Sequence, residues 1–206
     1  MNKMMELNAP CDKEMIKTLK IGDIISLSGI IVTGRDAFHK HVADKYVKKG
    51  ERDTTFQKLS SYLKNGIIYH CGPVMLEKNR KFSFIAGGPT TSIREEPYQA
   101  EVIEIFSLSG IIGKGGMGEK TAQALKDNSA VYLHATGGAA AFIGERVKRV
   151  IEVFYLEEFG IPEAAWVLEV KDFPLTVTMD SKGNSLHSEV YQNSNNRLKE
   201  LLKINL

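Results

Sequence analysis

Cysteine is scarce in this chain of 206 residues, which has only two, Cys11 and Cys71. They lie far apart in sequence and form no C-x-x-C or C-x-x-H pair, which argues against a disulfide framework. Two thiols alone are also too few to hold an iron–sulfur cluster or a structural zinc ion. The chain also lacks an excess of charge of one sign, since 27 basic and 25 acidic residues give a formal net charge of +2. Anion binding therefore has to come from local placement of cations, because the bulk charge attracts neither nucleic acid nor membrane.

Long hydrophobic runs are absent as well. No apolar stretch approaches the length of a membrane span, and residues 1–10, with acidic Glu6, carry no secretory signal pattern. We therefore expect a cytoplasmic protein. With 43% hydrophobic and 25% charged residues, the composition is that of an ordinary globular domain. No repeat or low-complexity linker divides the chain, so we predict one domain over residues 1–206.

Strands, glycine-rich turns and helices alternate along the chain. A short arm over residues 1–20, with a helix from Asp12 to Leu19, precedes a β-branched strand from Ile24 to Val32 whose continuous apolar character predicts burial on both faces. Some of the later strands are linked as hairpins and others are crossed over by helices, which predicts an α/β domain with a mixed sheet, partly closed like a barrel. The later predicted elements are a hairpin at 75–86, a helix ending near 106, strands at 111–112, 130–133, 147–154, 165–170 and 175–179, a hairpin turn at 182–184 and a C-terminal helix at about 188–203.

Two glycine-rich segments carry the side chains that suggest a binding site. Residues 87–94 have the sequence Gly-Gly-Pro-Thr-Thr-Ser-Ile-Arg, and residues 113–118 have the sequence Gly-Lys-Gly-Gly-Met-Gly. Glycine lets a ligand approach the backbone closely, and Arg94, Lys114 and free N–H groups neutralise carboxylate or phosphate. Arg35, at the junction between a predicted strand and a predicted helix, faces the same cleft in this interpretation. The pattern predicts a pocket for a small polyanion.

Plainer interpretations of these residues stay open at this point. Lys114 alone would suit a solvated loop and Arg94 a surface helix, while Thr90 and Thr91 suit helix capping, which is compatible with catalysis. His39 fits a structural role as well as a catalytic one. A non-catalytic module that binds organic or phosphate anions through the same residues is a further alternative. A dinucleotide site is disfavoured, because the second glycine-rich segment lacks the βαβ context of such sites.

Taken in order along the chain, these residues resemble the β subunit of the two-subunit iron–sulfur hydro-lyases, the class I fumarate hydratase and L(+)-tartrate dehydratase family. The order and spacing of many segments over nearly the whole chain carry the resemblance, rather than any single motif. The segments are Gly22-Asp23, Gly34-Arg35-Asp36 with His39, Gly72-Pro73, Gly88-Pro89-Thr90-Thr91-Ser92 with Arg94, Gly113-Lys114-Gly115, Gly137-Gly138-Ala139-Ala140, residues 158–166, Lys171-Asp172-Phe173-Pro174 and residues 180–184.

The resemblance implies a swivelling β/β/α domain that covers the active site of a partner. That partner, the α subunit, would hold a [4Fe-4S] cluster through three cysteines, so no metal ligand is expected on this chain. A separate β subunit in a heterotetramer of two α and two β chains is the implied assembly. The implied ligand is a dicarboxylate, and no nucleic acid or membrane partner is expected.

The implied reaction is reversible addition of water across the double bond of a four-carbon dicarboxylate. Thr90 matches the family's position for the proton-abstracting base, and His39 is a second catalytic candidate. Substrate binding is expected from four further residues, Arg35, Arg94, Lys114 and Thr91. A threonine hydroxyl is a weak base at neutral pH, so Thr90 needs help from cations and a partner carboxylate to ionise. Without that help, Thr90 positions the substrate and the base lies in the α subunit.

Two substrates are compatible with these residues. Hydration of fumarate to malate is the expected reaction, and dehydration of L(+)-tartrate to oxaloacetate is the alternative. One hydroxyl group separates the two substrates, and the groups that recognise it belong in part to the partner.

Overall fold

The computed structural model describes residues 4–202, within which nine strands and eight α-helices are found. The strands are β1 Met5–Ala9, β2 Ile24–Thr33, β3 Ile67–Tyr69, β4 Val74–Lys78, β5 Lys81–Ala86, β6 Gly110–Gly113, β7 Val131–His134, β8 Val147–Phe154 and β9 Ala165–Met179. The helices are α1 Lys13–Thr18, α2 Asp36–His41, α3 Thr54–Leu63, α4 Glu96–Phe106, α5 Glu119–Asp127, α6 Ala140–Gly144, α7 Leu156–Phe159 and α8 Leu186–Leu202. Helix α2 continues as a π-helical segment, Val42–Lys48, and a 3₁₀ turn, Ser92–Glu95, precedes α4.

Strand β9 closes a five-stranded barrel. Strands β2, β3, β6 and β7 lie side by side and parallel, and β9 pairs antiparallel with both β7 and β2. Strand β1 adds to β2, β8 adds to β9, and β4 with β5 forms a separate hairpin. The mixed, barrel-like sheet with flanking helices that the sequence predicts is therefore confirmed, and the closure is complete.

The barrel wall has an apolar core on each face. Ile67 and Tyr69 belong to the inner core with Trp166, whereas Ile68 between them packs outward with Phe38 under the helices. This alternation follows from the two-residue period of a strand. Because both faces are covered, the strands need continuous apolar sequence, as predicted for β2.

Several predicted elements need correction. Strand β1 is not predicted by the sequence; it lies in the N-terminal arm and pairs with β2, and α1 follows it with Asp12 as its N-cap. The two strands predicted at 165–170 and 175–179 are one strand, because Phe173 and Pro174 stay paired with β2. The turn at 182–184 closes an isolated antiparallel bridge between Met179 and Ser185 rather than a longer hairpin, because the chain then enters α8 at Leu186. The predicted C-terminal helix is present, although residue 203 lies outside the described residues.

None of the helices between residues 4 and 202 has both the length and the apolar character that crossing a bilayer requires.

Lys13 fastens the ends of two helices to the N-terminal arm. Its Nζ donates to the carbonyl oxygens of Leu108 at 2.6 Å, Asn128 at 2.8 Å and Ser129 at 3.4 Å. Leu108 lies just beyond the end of α4, and Asn128 is the C-cap of α5. A cation is favourable there, because carbonyl groups at helix C-termini lack partners and carry partial negative charge.

We expect Lys13→Met to lower the free energy of unfolding by about 2 kcal/mol, since three part-buried carbonyl groups lose a charged donor. Urea unfolding followed by circular dichroism measures the change. The matched control is Lys17→Met on the same helix, where the lysine is exposed and pairs only with Glu14; its effect should stay within about 0.5 kcal/mol. Equal effects of the two substitutions would contradict the role assigned to Lys13.

Candidate active site at the carboxyl edge of the barrel

The candidate site lies where the parallel strands end. Arg35 follows β2, Lys114 follows β6 and Thr136 follows β7, and the carboxyl ends of parallel strands share one edge of a sheet. Strand β3 leads through Cys71 and the β4–β5 hairpin to the loop of Thr90, and a bridge between Cys71 and Pro89 returns that loop to the same edge. The structure thus brings the predicted substrate-binding residues and Thr90 to one place.

The Thr90 loop and the Lys114 loop are joined through their backbones. Thr90 N–H donates to the His70 carbonyl at 2.7 Å, and Lys114 N–H donates to the Thr90 carbonyl at 3.3 Å. Ser92 N–H in turn donates to the Lys114 carbonyl at 3.0 Å, and Thr91 forms a parallel bridge with Lys114. The loop therefore continues the parallel pairing of the barrel and fixes Thr90 beside Lys114.

Arg94 connects the Thr90 hydroxyl to an acidic residue. Its Nη2 donates to Thr90 Oγ1 at 2.8 Å and lies 3.2 Å from Asp36 Oδ2. The spacing of four residues on the turn after Thr90 brings the two side chains together. Asp36 Oδ2 is also 4.0 Å from Nη2 of Arg35, so one carboxylate lies between the two guanidinium groups.

Arg35 is held mainly by Glu163, and the absence of a side chain at position 72 leaves room for its guanidinium. Its Nη2 lies 3.3 Å from Glu163 Oε1, while Glu163 Oε2 accepts from Ala37 N–H at the start of α2 at 3.0 Å. A Cβ atom at Gly72 would come within 2.4 Å of Arg35 Nη1. Gly72 therefore makes room for the guanidinium.

His39 lies behind these arginines, fully buried. Its Nδ1–H donates to the Arg35 carbonyl oxygen, with the atoms 2.9 Å apart, and burial lowers the pKa of the ring to about 4. Gln99 Oε1 lies 3.0 Å from His39 Nε2 and 2.7 Å from His70 Nε2. A neutral His39 that donates from Nδ1 can only accept at Nε2, so the contact with His39 is satisfied when the oxygen and nitrogen of the Gln99 amide exchange places and the NH₂ group donates. A catalytic part for His39 stays a prediction; its contacts are those of a group that orients Arg35.

The same buried network reaches the Lys114 loop. His70 Nδ1 is 2.9 Å from Ser92 Oγ, which accepts from the Tyr132 hydroxyl at 2.7 Å. A Cβ atom at Gly113 would lie 1.9 Å from Ser92 Oγ. Glycine at position 113 therefore serves close packing against Ser92, in addition to any access that the loop offers to a ligand.

Lys114 has no hydrogen bond or ion pair from its ammonium group to any residue in the range 4–202. Its Cδ lies 3.6 Å from the position that a Cβ at Gly137 would take, so the turn after β7 lies beside the lysine stem. On the other side, the His187 ring of α8 packs against Gly116, with His187 Nε2 3.0 Å from Thr178 Oγ1. The loop is thus held from both sides while its cation has no protein partner among these residues.

Glu95 is a member of the site that is absent from the predicted binding and catalytic residues. It is fully buried, and its carboxyl oxygens accept no hydrogen bond from the described residues. Burial first, and the nearby Asp36 carboxylate second, raise the pKa of Glu95 to about 8. Gln99 and Glu163 are likewise absent from the predicted site. The order Gly-Ile-Pro-Glu at 160–163 resembles the family, but no pattern indicates that Glu163 meets Arg35.

The two cysteines do not fit an iron–sulfur cluster. Both are buried and free, and burial raises the pKa of the Cys11 and Cys71 thiols to about 12, so both stay neutral. No group of three histidine, cysteine or acidic side chains suited to a metal ion occurs among residues 4–202. This part of the chain therefore does not supply the thiolate ligands of a cluster.

Apolar side chains are exposed around the site. Ile93, beside Arg94, is 50% exposed, and Phe142 on α6 is 45% exposed. The β4–β5 hairpin adds Val74, Leu76 and Ile85, each about half exposed or more. Helix α6 is attached to the site through its first residue, since Gly87 N–H donates to the Ala140 carbonyl at 3.2 Å.

Comparison with known proteins matches residues 1–190 to the family described as fumarase C-terminus. A protein of Geobacillus stearothermophilus that is provisionally named fumarate hydratase class I is 48% identical over 199 residues, which are 96% of this chain and 36% of the relative. The chain therefore spans little more than a third of that relative.

Two further relatives match over most of their length. A protein of Methanocaldococcus jannaschii, provisionally named L(+)-tartrate dehydratase subunit beta, is 42% identical over 191 residues, covering 92% of this chain and 94% of the relative. The L(+)-tartrate dehydratase subunit beta of Escherichia coli K12 is 33% identical over 185 residues, covering 89% and 86%. With these matches, the chain belongs to the fumarase C-terminus family, as a domain of the type found in class I fumarate hydratases and in L(+)-tartrate dehydratase β subunits.

Proposed function

We propose that this chain is the β subunit of a two-subunit iron–sulfur hydro-lyase that adds water reversibly to fumarate, giving malate. The observation that carries the proposal is that Arg35, Arg94, Lys114 and the Thr90 hydroxyl lie together at the carboxyl edge of the barrel, with Arg94 in contact with the hydroxyl. Three cations match a dicarboxylate substrate whose negative charge increases when a proton leaves the carbon beside a carboxylate. The family membership supports the same reaction class.

Lys114 and Arg94 are the groups we assign to the substrate carboxylates. Lys114 has no charged partner in the described part of the chain, so its ammonium can bind an anion without breaking an ion pair. Arg94 is already oriented by Asp36 and is partly exposed. Arg35, held by Glu163, presents a second guanidinium whose position is preset before substrate arrives, and preset charges reduce the reorganisation that the reaction requires.

Thr90 is the group we assign to proton removal. The guanidinium that donates to Thr90 Oγ1 at 2.8 Å favours the alkoxide form, because a charged donor stabilises a developing oxyanion. The alkoxide would take the proton from the substrate carbon, and Arg94 would then donate to the neutral hydroxyl. The hydroxyl's own proton has to pass to an acceptor, for which a carboxylate of the partner is the proposed group.

The partner in this proposal is an α subunit that holds the [4Fe-4S] cluster, in an assembly of two α and two β chains. The described residues do not fit the cluster, and the apolar side chains around the site supply a surface for a protein partner. The name subunit beta, carried by the relatives from M. jannaschii and E. coli, supports such an assembly. Two buried free thiols are compatible with the reducing cytoplasm, which is the proposed location.

L(+)-tartrate is the second candidate substrate. The two relatives that match along most of their length are named as tartrate dehydratase subunits, whereas the relative with higher identity is named as a fumarate hydratase. The three cations suit both dicarboxylates, and the difference of one hydroxyl group has to be decided by kinetics.

The first expected outcome concerns the assembled enzyme. Under anaerobic conditions, we expect no turnover by this chain alone and turnover when it is copurified with a cysteine-bearing α subunit. Fumarate hydration and tartrate dehydration, measured side by side, identify the substrate by the higher kcat/KM. Binding of dicarboxylate without turnover in every combination would contradict the enzyme and favour the anion-binding module.

Removal of a single cation should impair turnover strongly. We expect Arg94→Ala and Lys114→Ala each to lower kcat/KM of the assembled enzyme by at least ~10²-fold, the scale of losing one preorganised charge contact. Arg197→Ala on α8, where the arginine is exposed and pairs only with Glu200, is the matched control and should leave kcat/KM unchanged. Near-normal kinetics for either site variant would remove that residue from the site.

Thr90→Ala separates binding from proton removal. We expect turnover to be abolished while malate still binds, because the three cations remain and only the hydroxyl is lost. Isothermal titration of the assembled variant with malate measures binding, and Thr90→Ser, which keeps a hydroxyl, should retain part of the activity. Substantial turnover by Thr90→Ala would assign the base to the α subunit.

A further inference from the structure

Glu95 is a buried acid without a cation to neutralise it. The side chain is 0% exposed, its enclosed carboxyl oxygens accept no hydrogen bond from the described residues, and no described lysine, arginine or histidine forms an ion pair with it. When protonated, its O–H can donate to the Asp36 carboxylate, and this hydrogen bond favours the neutral acid. Glu95 is the last residue of the 3₁₀ turn that begins two residues after Thr90 and carries Arg94. A carboxylate in such surroundings is strongly disfavoured, and the group keeps its proton instead.

The charged groups that face Glu95 come from three elements. Asp36 at the start of α2 and Glu163 in the segment before β9 are acidic, and Arg94 on the turn itself is basic. The two acids oppose ionisation of Glu95 and act together with burial, whereas Arg94 favours ionisation. Both acids are engaged by arginines, Asp36 by Arg94 and Glu163 by Arg35.

Arg94 is therefore the group on which ionisation of Glu95 would act. In the structure its guanidinium is shared between Thr90 Oγ1 at 2.8 Å and Asp36 Oδ2 at 3.2 Å. A second carboxylate, at position 95, would attract the same guanidinium and compete with the hydroxyl for it. A neutral acid exerts no such attraction.

We propose that Glu95 is a positioning residue. While its carboxyl group is neutral, the Arg94 guanidinium stays with Thr90 and Asp36. When Glu95 ionises, its carboxylate draws the guanidinium away from Thr90. The oxygens of Glu95 are enclosed and do not meet the substrate, so Glu95 acts through the neighbouring side chains Arg94 and Asp36. The pH dependence of the site is thereby set by a residue that does not touch the substrate. The kinetic part of this inference rests on the proposed hydro-lyase function, and the structural part does not.

The first test uses this chain alone and needs no activity. The pKa of Glu95 is about 8 in the folded state and about 4.3 in the unfolded state. At pH values between these two, Glu95 is protonated in the folded chain and ionised in the unfolded chain. Stability therefore falls as the pH rises across that window. Glu95→Gln removes this dependence, so we expect the Tm of the native chain, relative to that of Glu95→Gln, to decrease steadily from pH 5 to pH 8.

Glu104→Gln is the matched control, because Glu104 lies exposed on the same helix region. The Tm difference between native chain and this control should stay constant over the same pH range. A constant difference for Glu95→Gln as well would show that Glu95 is ionised throughout, and would overturn the proposal.

The second test observes Arg94 directly. The NMR signal of its side-chain Nε–H, assigned by its loss in Arg94→Lys, should shift with a midpoint near pH 8 in the native chain and should lose that transition in Glu95→Gln. A signal that does not titrate in the native chain would mean that Glu95 does not act on Arg94. This result is independent of the substrate and of the α subunit.

The third test is kinetic and uses the assembled enzyme. We expect kcat/KM to fall above about pH 8, approaching tenfold per pH unit for a single ionisation, and this alkaline fall to be lost in Glu95→Gln but kept in Glu104→Gln. An alkaline fall that survives in Glu95→Gln would overturn the positioning role. If no combination of chains shows turnover, the proposed function fails, while the stability and NMR measurements still decide the state of Glu95 and its effect on Arg94.

Discussion

The antiparallel pairing of β9 with both β2 and β7 is the constraint on which the rest of the molecule depends. Four parallel strands alone would form an open sheet whose outer carboxyl ends stand apart. Closure by one strand of 15 residues brings the end of β2, which carries Arg35, within reach of the loops after β3 and β6. The site is therefore a product of barrel closure, and its cations come from parts of the chain that are far apart in sequence.

Within that edge, charge compensation decides which cations are free. Asp36 and Glu163 hold the two arginines in place, and Glu163 also satisfies an N–H group at the start of α2. Lys114 is left without such a partner among residues 4–202. The arginines are oriented at the cost of partial neutralisation, whereas the lysine keeps its full charge for an incoming anion.

Much of this arrangement could be predicted because it depends on local sequence. A β-branched run ending at a glycine places Arg35 at a strand end, and hydroxyl and guanidinium groups four residues apart on one turn place Arg94 beside Thr90. Glycine-rich turns indicate the Lys114 loop in the same way. The complete closure of the barrel could not be predicted, since the continuity of β9 through Asp172 and Pro174 depends on its pairing with β2.

The burial of these polar residues could not be predicted from the sequence either. Glu95 stands in an Arg-Glu-Glu-Pro run typical of an exposed helix start, where acidic residues are favoured by the helix dipole, and only tertiary packing makes it fully buried. Gln99 and His70 are ordinary polar residues until the barrel and α4 enclose them. Their hydrogen bonds to His39 and Ser92 then connect the two sides of the site.

The contact between His187 and Gly116 joins the outermost helix of the chain to the loop of the free lysine. Helix α8 has no buried residue and exposes a run of apolar side chains that includes Tyr191 and Leu201. A protein bound to that helix would also restrain the ring that packs on Gly116. The outer face of α8 and the position of the Lys114 loop are therefore coupled through one side-chain contact.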